Sequence, residues 1–253
     1  MIKFFRKIRQ NLLAQNRVSK YLVYAIGEIL LVVIGILIAL QINNWNENNK
    51  INKIRTLKLS QIESDLRADV VSLEEGILIK EKEIATLKNY HDRLSQSNAS
   101  IDTLDKIVNT EFAGSVRVGF SGFNNITYNS MVQSGELGIL SDDLVKDLSN
   151  LNIQQQKSVN SFNDHWEIYL KQSQTFQANY PVKGKIIIVG DGPLGDYLRE
   201  HRDDKNFIVA FNEVFTAKWL MYSQNLRNHK NILEITKAIL KKHFQNDTVL
   251  KKN

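Results

Sequence analysis

A glycine-rich motif near the C-terminus is one of two features of this sequence that could support chemistry. Gly190, Gly192 and Gly195 match the pattern G-x-G-x-x-G and follow the apolar residues 186–189. Such a motif binds a pyrophosphate when a helix opens there inside a sheet of parallel strands, because backbone amides then point at the phosphates. No alternating pattern of strands and helices precedes the motif. We therefore predict a turn between a short strand and a helical segment at residues 194–201, and no cofactor.

The second feature is Glu28, the one charged residue in the apolar run of residues 21–42. It lies seven residues inside Tyr21, which is about 10 Å at the rise of a helix. An acid in this position is protonated, hydrogen-bonded to a neighbour such as Tyr24, packed against another span, or part of a proton relay. The sequence leaves these alternatives open. Gly27 and Gly35 would allow another helix to approach closely.

Other reactive groups form no recognisable set. The chain has no cysteine, no G-x-S-x-G motif and no pair of histidines at metal-binding spacing. Its five histidines are scattered over His91, His165, His201, His229 and His243. The sequence therefore predicts no catalytic residue, no metal site and a protein that is not an enzyme.

The apolar run that contains Glu28 is long enough to cross a membrane. Its 22 residues include 14 Leu, Ile or Val, and as a helix they extend about 33 Å, against a hydrocarbon core of roughly 30 Å. The insertion gain of about −4 to −8 kcal/mol exceeds the cost of about 2.5 to 3.5 kcal/mol for one acid. The run ends at Ala39-Leu40-Gln41, where cleavage would require a small residue. We predict an uncleaved signal anchor.

Aromatic and basic residues flank this run. Tyr21 and Tyr24 at one end and Trp45 at the other are placed for the headgroup level. The arm before the run has no acid and six cations, namely Lys3, Arg6, Lys7, Arg9, Arg17 and Lys20. Moving six charges outward against 100 mV would cost roughly 14 kcal/mol. We predict that the arm is cytoplasmic and that the large domain is exported to the other side of the membrane. The absence of cysteine is compatible with export.

The net charge of +6 does not indicate a nucleic-acid partner. The arm contributes +6 and Glu28 contributes −1, so residues 43–253 contribute only +1. The predicted partners are the lipid bilayer and a protein partner or a second copy of the chain. The arm also contains apolar residues, so it is either an amphipathic segment on an anionic leaflet or a topology signal alone.

A heptad pattern follows the apolar run. Seven of nine positions at steps of four and three are apolar: Leu66, Val70, Leu73, Ile77, Lys80, Ile84, Leu87, His91 and Leu94. We call these nine positions the seam. They predict a helical stalk of roughly 75 Å that begins near Trp45 and ends at residues 95–100. The seam could form a coiled coil between chains, with Lys80 and His91 fixing the register, or pack inside its own chain.

The remaining sequence predicts shorter elements. We expect a short helix at residues 101–111, an extended piece at 116–120, a helix from Ile126 to Ser134, and a helix capped by Ser141 that ends at Pro181. An aromatic stripe along this last helix indicates a packed core. Two further helices are expected at 206–226 and 230–244.

The predicted fold is mainly α: one N-terminal transmembrane helix that continues into a long helical stalk, and an exported antiparallel helical bundle with minor β content. The predicted segments are a basic cytoplasmic arm at 1–20, the transmembrane helix at 21–42, the stalk at 43–100 and a periplasmic helical domain at 101–253.

Several stretches resemble a large uncharacterised family of single-pass inner-membrane proteins of Gram-negative bacteria. The resemblance rests on Phe4-Phe5-Arg6-Lys7-Ile8-Arg9-Gln10, on Tyr24-Ala25-Ile26-Gly27-Glu28-Ile29, and on Ile38 through Asn46. Thr127-Tyr128-Asn129-Ser130, Ser134-Gly135 and residues 137–140 are similar to the family's midsection. The resemblance implies an inner-membrane anchor with a helical periplasmic domain and no assigned activity.

Three functional hypotheses follow. The first is a non-enzymatic interaction or assembly module in the periplasm. The second is an accessory subunit of an ion-coupled or transport complex that uses Glu28. The third is a periplasmic sensor domain, which would need a signalling partner because an arm of 20 residues cannot hold an output domain.

Overall fold

The computed structural model describes residues 18–112, 122–183 and 192–245, together with Arg6. The chain divides into two compact units, Met1–Lys58 and Leu59–Asn253. The regular elements within the described ranges are all helices, and no strand occurs there. The prediction of a mainly α protein is therefore confirmed. The two predicted extended pieces, at 116–120 and 186–189, lie outside the described residues.

Helix α1 begins at Val18 and ends at Leu94, so it continues through the boundary between the units. In the first unit its large apolar side chains from Leu22 to Ile42 are between 45% and 74% exposed. By length and composition α1 can cross a membrane, and none of its most apolar window is buried within the chain. The predicted long apolar helix near the N-terminus is confirmed.

In the second unit, the seam of α1 faces the interior of the chain. Leu66, Leu73, Ile77, Lys80 and Leu87 are buried, whereas His91 at the end of the helix is exposed. The seam is thus occupied by the chain's own helices, which is the second of the two alternatives that the heptad pattern left open. α1 ends one residue before Ser95, as the sequence predicted.

Seven further helical elements complete the described structure. Their bounds are α2 Ile101–Lys106, a π-helical turn Ile107–Phe112, α3 Ile126–Ser134, a 3₁₀ turn Glu136–Ile139, α4 Asp142–Asn179, α5 Pro193–Glu200 and, as the last, α6 Asp204–Phe244. Hydroxyl or carboxylate side chains cap three of the N-termini. Ser100, Ser141 and Asp203 accept hydrogen bonds from the backbone N–H groups of Thr103, Leu144 and Asn206.

The prediction of two separate C-terminal helices is wrong, because α6 runs without interruption from Asp204 to Phe244. The expected break lay near Arg227, Asn228 and His229. This stretch contains neither glycine nor proline, so nothing local ends the helix. His229 is also buried, so the helix packs against the rest of the chain at the point where the polar sequence predicted a loop.

The interior of the second unit consists of two apolar clusters. The aromatic cluster contains Tyr90, Phe112, Tyr169, Phe176, Phe207 and Phe211 among its buried residues. The aliphatic cluster contains Leu66, Leu73, Leu148, Leu151, Ile232 and Leu240. Phe162, Trp166 and Tyr180 of the predicted aromatic stripe pack against the aromatic cluster, which confirms that the stripe forms core. α1, α4 and α6 contribute to both clusters, and their polar side chains between the clusters form the candidate site.

Candidate functional site

The residues that the sequence marked around the membrane segment remain dispersed. Glu28 is exposed on the apolar part of α1, and Tyr24 and Trp45 are exposed on the same helix. Arg6 is the one residue of the basic arm whose side chain is described, and it is exposed. Lys3, Lys7, Arg9 and Arg17 lie outside the described residues, as do the side chains of Lys20 and Tyr21. Their roles at the membrane stay predictions.

A buried carboxylate, Asp69, forms the centre of the most extensive polar contacts in the core. Its Oδ1 accepts hydrogen bonds from the backbone N–H and from Nδ2 of Asn124, both at 2.8 Å. Its Oδ2 accepts one from Nε2 of Gln155 at 3.0 Å. Burial raises the pKa of Asp69, and the nearby Asp65 carboxyl raises it further, while these hydrogen bonds act in the opposite direction. Asp69 thus joins α1, α4 and the segment before α3.

Weaker hydrogen bonds extend this polar network. The backbone N–H of Thr127 donates to Asp65 at 3.4 Å, and the hydroxyls of Tyr128 and Ser149 lie 3.1 Å apart. A cavity of about 20 Å³ lies among these side chains, which is room for one water molecule. The network therefore fastens residues 122–128 to two long helices. We interpret its role as structural, because its polar atoms already form hydrogen bonds with one another.

A second polar group separates the two apolar clusters. We call Lys80, Asn225 and His229 the polar layer; all three are at most 5% exposed. Nζ of Lys80 donates to the Gly76 carbonyl at 3.2 Å. The ring of Phe123 lies 6.2 Å from that of His229. Oδ1 of Asn225 has no hydrogen-bond partner among the described residues.

Burial governs the protonation of this layer. It lowers the pKa of Lys80 to about 8. Burial, and then the charge of Lys80, lowers the pKa of His229 to about 3. At neutral pH the imidazole of His229 is therefore neutral. Neither group is open to solvent, so the layer affects stability and not surface chemistry.

Three possible metal ligands come together near the end of α6. Ligand atoms of Asp143, Asp147 and His243 lie within 4.8 Å of one another. The ammonium of Lys242 already contacts Asp143 at 2.7 Å and Asp147 at 2.8 Å, while Nε2 of His243 lies 2.8 Å from Asp147. Hydrogen bonds from Lys242 and His243 lower the pKa of Asp147. The acids of this group are thus already paired within the chain, and the prediction of no metal site stays a prediction.

Only the second half of the glycine-rich motif lies within the described residues. Gly190 and Asp191 lie outside the described residues, Gly192 has a φ of +88°, and α5 begins at Pro193. Proline has no N–H group, so the start of this helix offers one amide fewer to a phosphate. The predicted helical segment at 194–201 corresponds to α5. The described part thus gives no support to a dinucleotide site.

Sequence reasoning missed the Asp69 network and the polar layer. Asp69 and Gln155 are 86 positions apart, and neither stands in a recognisable motif. Lys80 did give a signal, because it interrupts the seam at a position that the helix buries. His229 gave none, since a histidine inside a polar stretch is usually exposed.

The contacts of Asp69 predict a large loss of stability when its side chain is removed. Asp69→Ala leaves the buried amide of Gln155 without its acceptor, at about 1–3 kcal/mol for an unsatisfied group, and it removes the hydrogen bonds from Asn124. We expect the free energy of unfolding, measured by denaturant titration of the full chain in detergent, to fall by roughly 2 kcal/mol. The matched control is Glu75→Ala, an exposed acid on the same helix. Equal effects of the two substitutions would contradict the assignment.

The polar layer predicts a specific pH dependence. Because the folded-state pKa of Lys80, about 8, lies below the ordinary lysine value of 10.5, folding opposes its protonation. The full penalty is present below pH 8, and it is relieved as pH rises from 8 toward 10.5. We expect the free energy of unfolding of the unsubstituted chain to gain from this group between pH 8 and 10, and Lys80→Met to remove that gain. A Lys82→Met control, at an exposed position, should retain it. Identical pH profiles for Lys80→Met and the unsubstituted chain would refute the prediction.

Comparison with known protein families gives one match. Residues 28–170 match the model of DUF6090, which is described as a family of unknown function. No curated protein and no solved structure matches the chain. The matched range begins at Glu28 and includes Asp69, Lys80 and Gln155, but it ends before α6. Because the match extends over more than half of the sequence, the chain belongs to the DUF6090 family of unknown function.

Proposed function

We propose that this protein is anchored in the bacterial inner membrane by residues 21–42 and that its periplasmic helical domain is a non-enzymatic interaction or assembly module. The observation that carries the proposal is the exposure of every large apolar side chain from Leu22 to Ile42. A core helix of a water-soluble protein would bury such a surface. Lipid is the environment that offers it an apolar neighbour on all sides.

Two observations favour an anchor over a cleaved signal sequence. The family match begins at residue 28, inside the apolar run, so a part of the run belongs to the family's domain. The residue before the end of the run is Gln41, where signal peptidase requires a small side chain. Both support retention of the segment in the mature protein.

The orientation rests on charge. Six cations precede the span, and residues 1–20 carry no acid. Segments that flank a span on the cytoplasmic side generally hold the excess of Lys and Arg. The arm is therefore proposed to be cytoplasmic and residues 43–253 periplasmic.

The packing directions of the long helices support the bundle part of the proposal. Lys237 pairs with Glu74 and Lys230 with Glu81, so α6 runs opposite to this part of α1. Asp147 meets His243 while Phe176 meets Phe207, so α4 also runs opposite to α6. We propose that these helices form an antiparallel bundle whose outer faces are available to a partner.

One outer face of α1 suits such an interaction. Val71 and Leu78 are 56% and 66% exposed, and their spacing of seven residues places them on one side of the helix. The seam itself is buried within the chain, so it is not free for assembly. A helix from a partner or from a second copy could cover Val71 and Leu78, and charged side chains of the unit would border the contact.

The lack of cysteine in the sequence allows a clean test of topology. We expect Asn98→Cys, in the turn after α1, to react with a membrane-impermeant maleimide in cells whose outer membrane has been permeabilised. Gln15→Cys, in the basic arm, should react only after the inner membrane is lysed. Labelling of Gln15→Cys in unlysed cells would contradict the proposed orientation.

Glu28 supports a second candidate function, an accessory subunit of an ion-coupled or transport complex. Acids inside membrane segments usually face the interior of a bundle of spans, and they commonly mark ion pathways or proton relays. We expect a multi-span partner to co-purify with the full chain in mild detergent and to be lost from Glu28→Gln. Glu47→Gln, an exposed acid beyond the apolar run, serves as the control. The same partner recovered with both variants would exclude this role for Glu28.

A further inference from the structure

A cavity of about 400 Å³ lies between the turn that joins α1 to α2 and the first turns of α6. Its floor is formed by Leu104 and Phe211, which are buried. Leu94, Ile101 and Phe215 form half-buried walls. This volume falls within the range of about 300–1,000 Å³ typical of small-molecule sites. The cavity thus leads from the surface to the aromatic cluster.

Hydrogen bonds and ring contacts hold the cavity in shape. In the turn, the Ser95 N–H donates to the His91 carbonyl at 2.9 Å, and the Ala99 N–H donates to the Gln96 carbonyl at 3.0 Å. On the opposite side, the ring of Phe211 lies 4.9 Å from that of Phe112 in an edge-to-face contact. A site that is already formed loses little conformational entropy when a ligand enters.

The rim of the cavity carries polar side chains. His91, Ser95 and Asn212 line the opening, and no Lys, Arg, Asp or Glu lines the cavity among the described residues. The Asn212 side chain is exposed and makes no hydrogen bond within the described structure. A charged head group would lose hydration here without a Lys, Arg, Asp or Glu among these lining residues to pair with, whereas a hydroxyl could bond to the Asn212 amide.

We propose that this cavity binds a neutral amphipathic small molecule, with its apolar body against Phe211 and Phe215 and a hydroxyl or similar group at Asn212. The inference goes beyond the proposed function and does not depend on the membrane anchor. Three properties of the site indicate this ligand class: an apolar floor, a volume suited to one small molecule, and a rim that can donate and accept hydrogen bonds.

The test uses 1-octanol as the neutral probe and octanoate as its charged counterpart. The full chain is placed in bilayer nanodiscs with Trp45→Phe and Trp166→Phe, so that Trp219 is the remaining tryptophan. Trp219 reports on the cavity because its ring stacks on Phe215 at 6.5 Å. We expect a saturable change in Trp219 emission with octanol, and at least a tenfold lower affinity for octanoate.

Asn212→Phe fills the mouth of the cavity and removes its amide. It should weaken octanol binding at least tenfold, whereas Glu213→Phe, a neighbour that does not line the cavity, should leave it unchanged. Octanol should also raise the apparent unfolding temperature of the chain with its native tryptophans, and Asn212→Phe should abolish that rise. A response that does not saturate, equal binding of octanol and octanoate, or equal responses of the two Phe variants would overturn the proposal.

Discussion

The structure depends on an apolar helix surface that no other described residue covers. From Leu22 to Ile42 every large apolar side chain of α1 is exposed, and the polar residues Glu28 and Gln41 lie among them. In a hydrocarbon environment the backbone must satisfy its own hydrogen bonds, and a continuous helix does so. α1 has no proline, and its glycines within the apolar run leave the helix unbroken. The same helix later changes from apolar on all sides to apolar along one seam.

The second unit depends on how that seam is covered. α4 and α6 bury it in an aromatic and an aliphatic cluster, and polar groups lie between and beside these clusters. Apolar contacts alone would tolerate several placements of the neighbouring segments. The oxygens of Asp69 accept three hydrogen bonds from Asn124 and Gln155, which suits one placement only. Buried polar residues here give less stability than apolar side chains would, but they fix one arrangement of the helices. This role is best known from helical assemblies.

Local patterns predicted the elements well and their contacts poorly. The end of α1 near Ser95, the cap at Ser141 and the stop of α3 before Gly135 each follow from a few adjacent residues. The continuity of α6 did not, because a polar stretch around Asn228 resembles a loop until the partner that buries His229 is known. The Asp69 network joins residues from three parts of the chain, and no periodicity relates them. The sequence likewise contained no sign of the cavity at Phe211, because its two sides come from α6 and from the turn after α1.

Retention of residues 21–42 in the mature protein is the central claim, since both the anchor and the role of Glu28 depend on it. The most direct measurement is the intact mass of the protein recovered from membranes after alkaline extraction. The account predicts that the chain stays with the membrane pellet at the full 29.1 kDa of its sequence. A chain released by alkali, or one shortened by the arm and the apolar run, would contradict it.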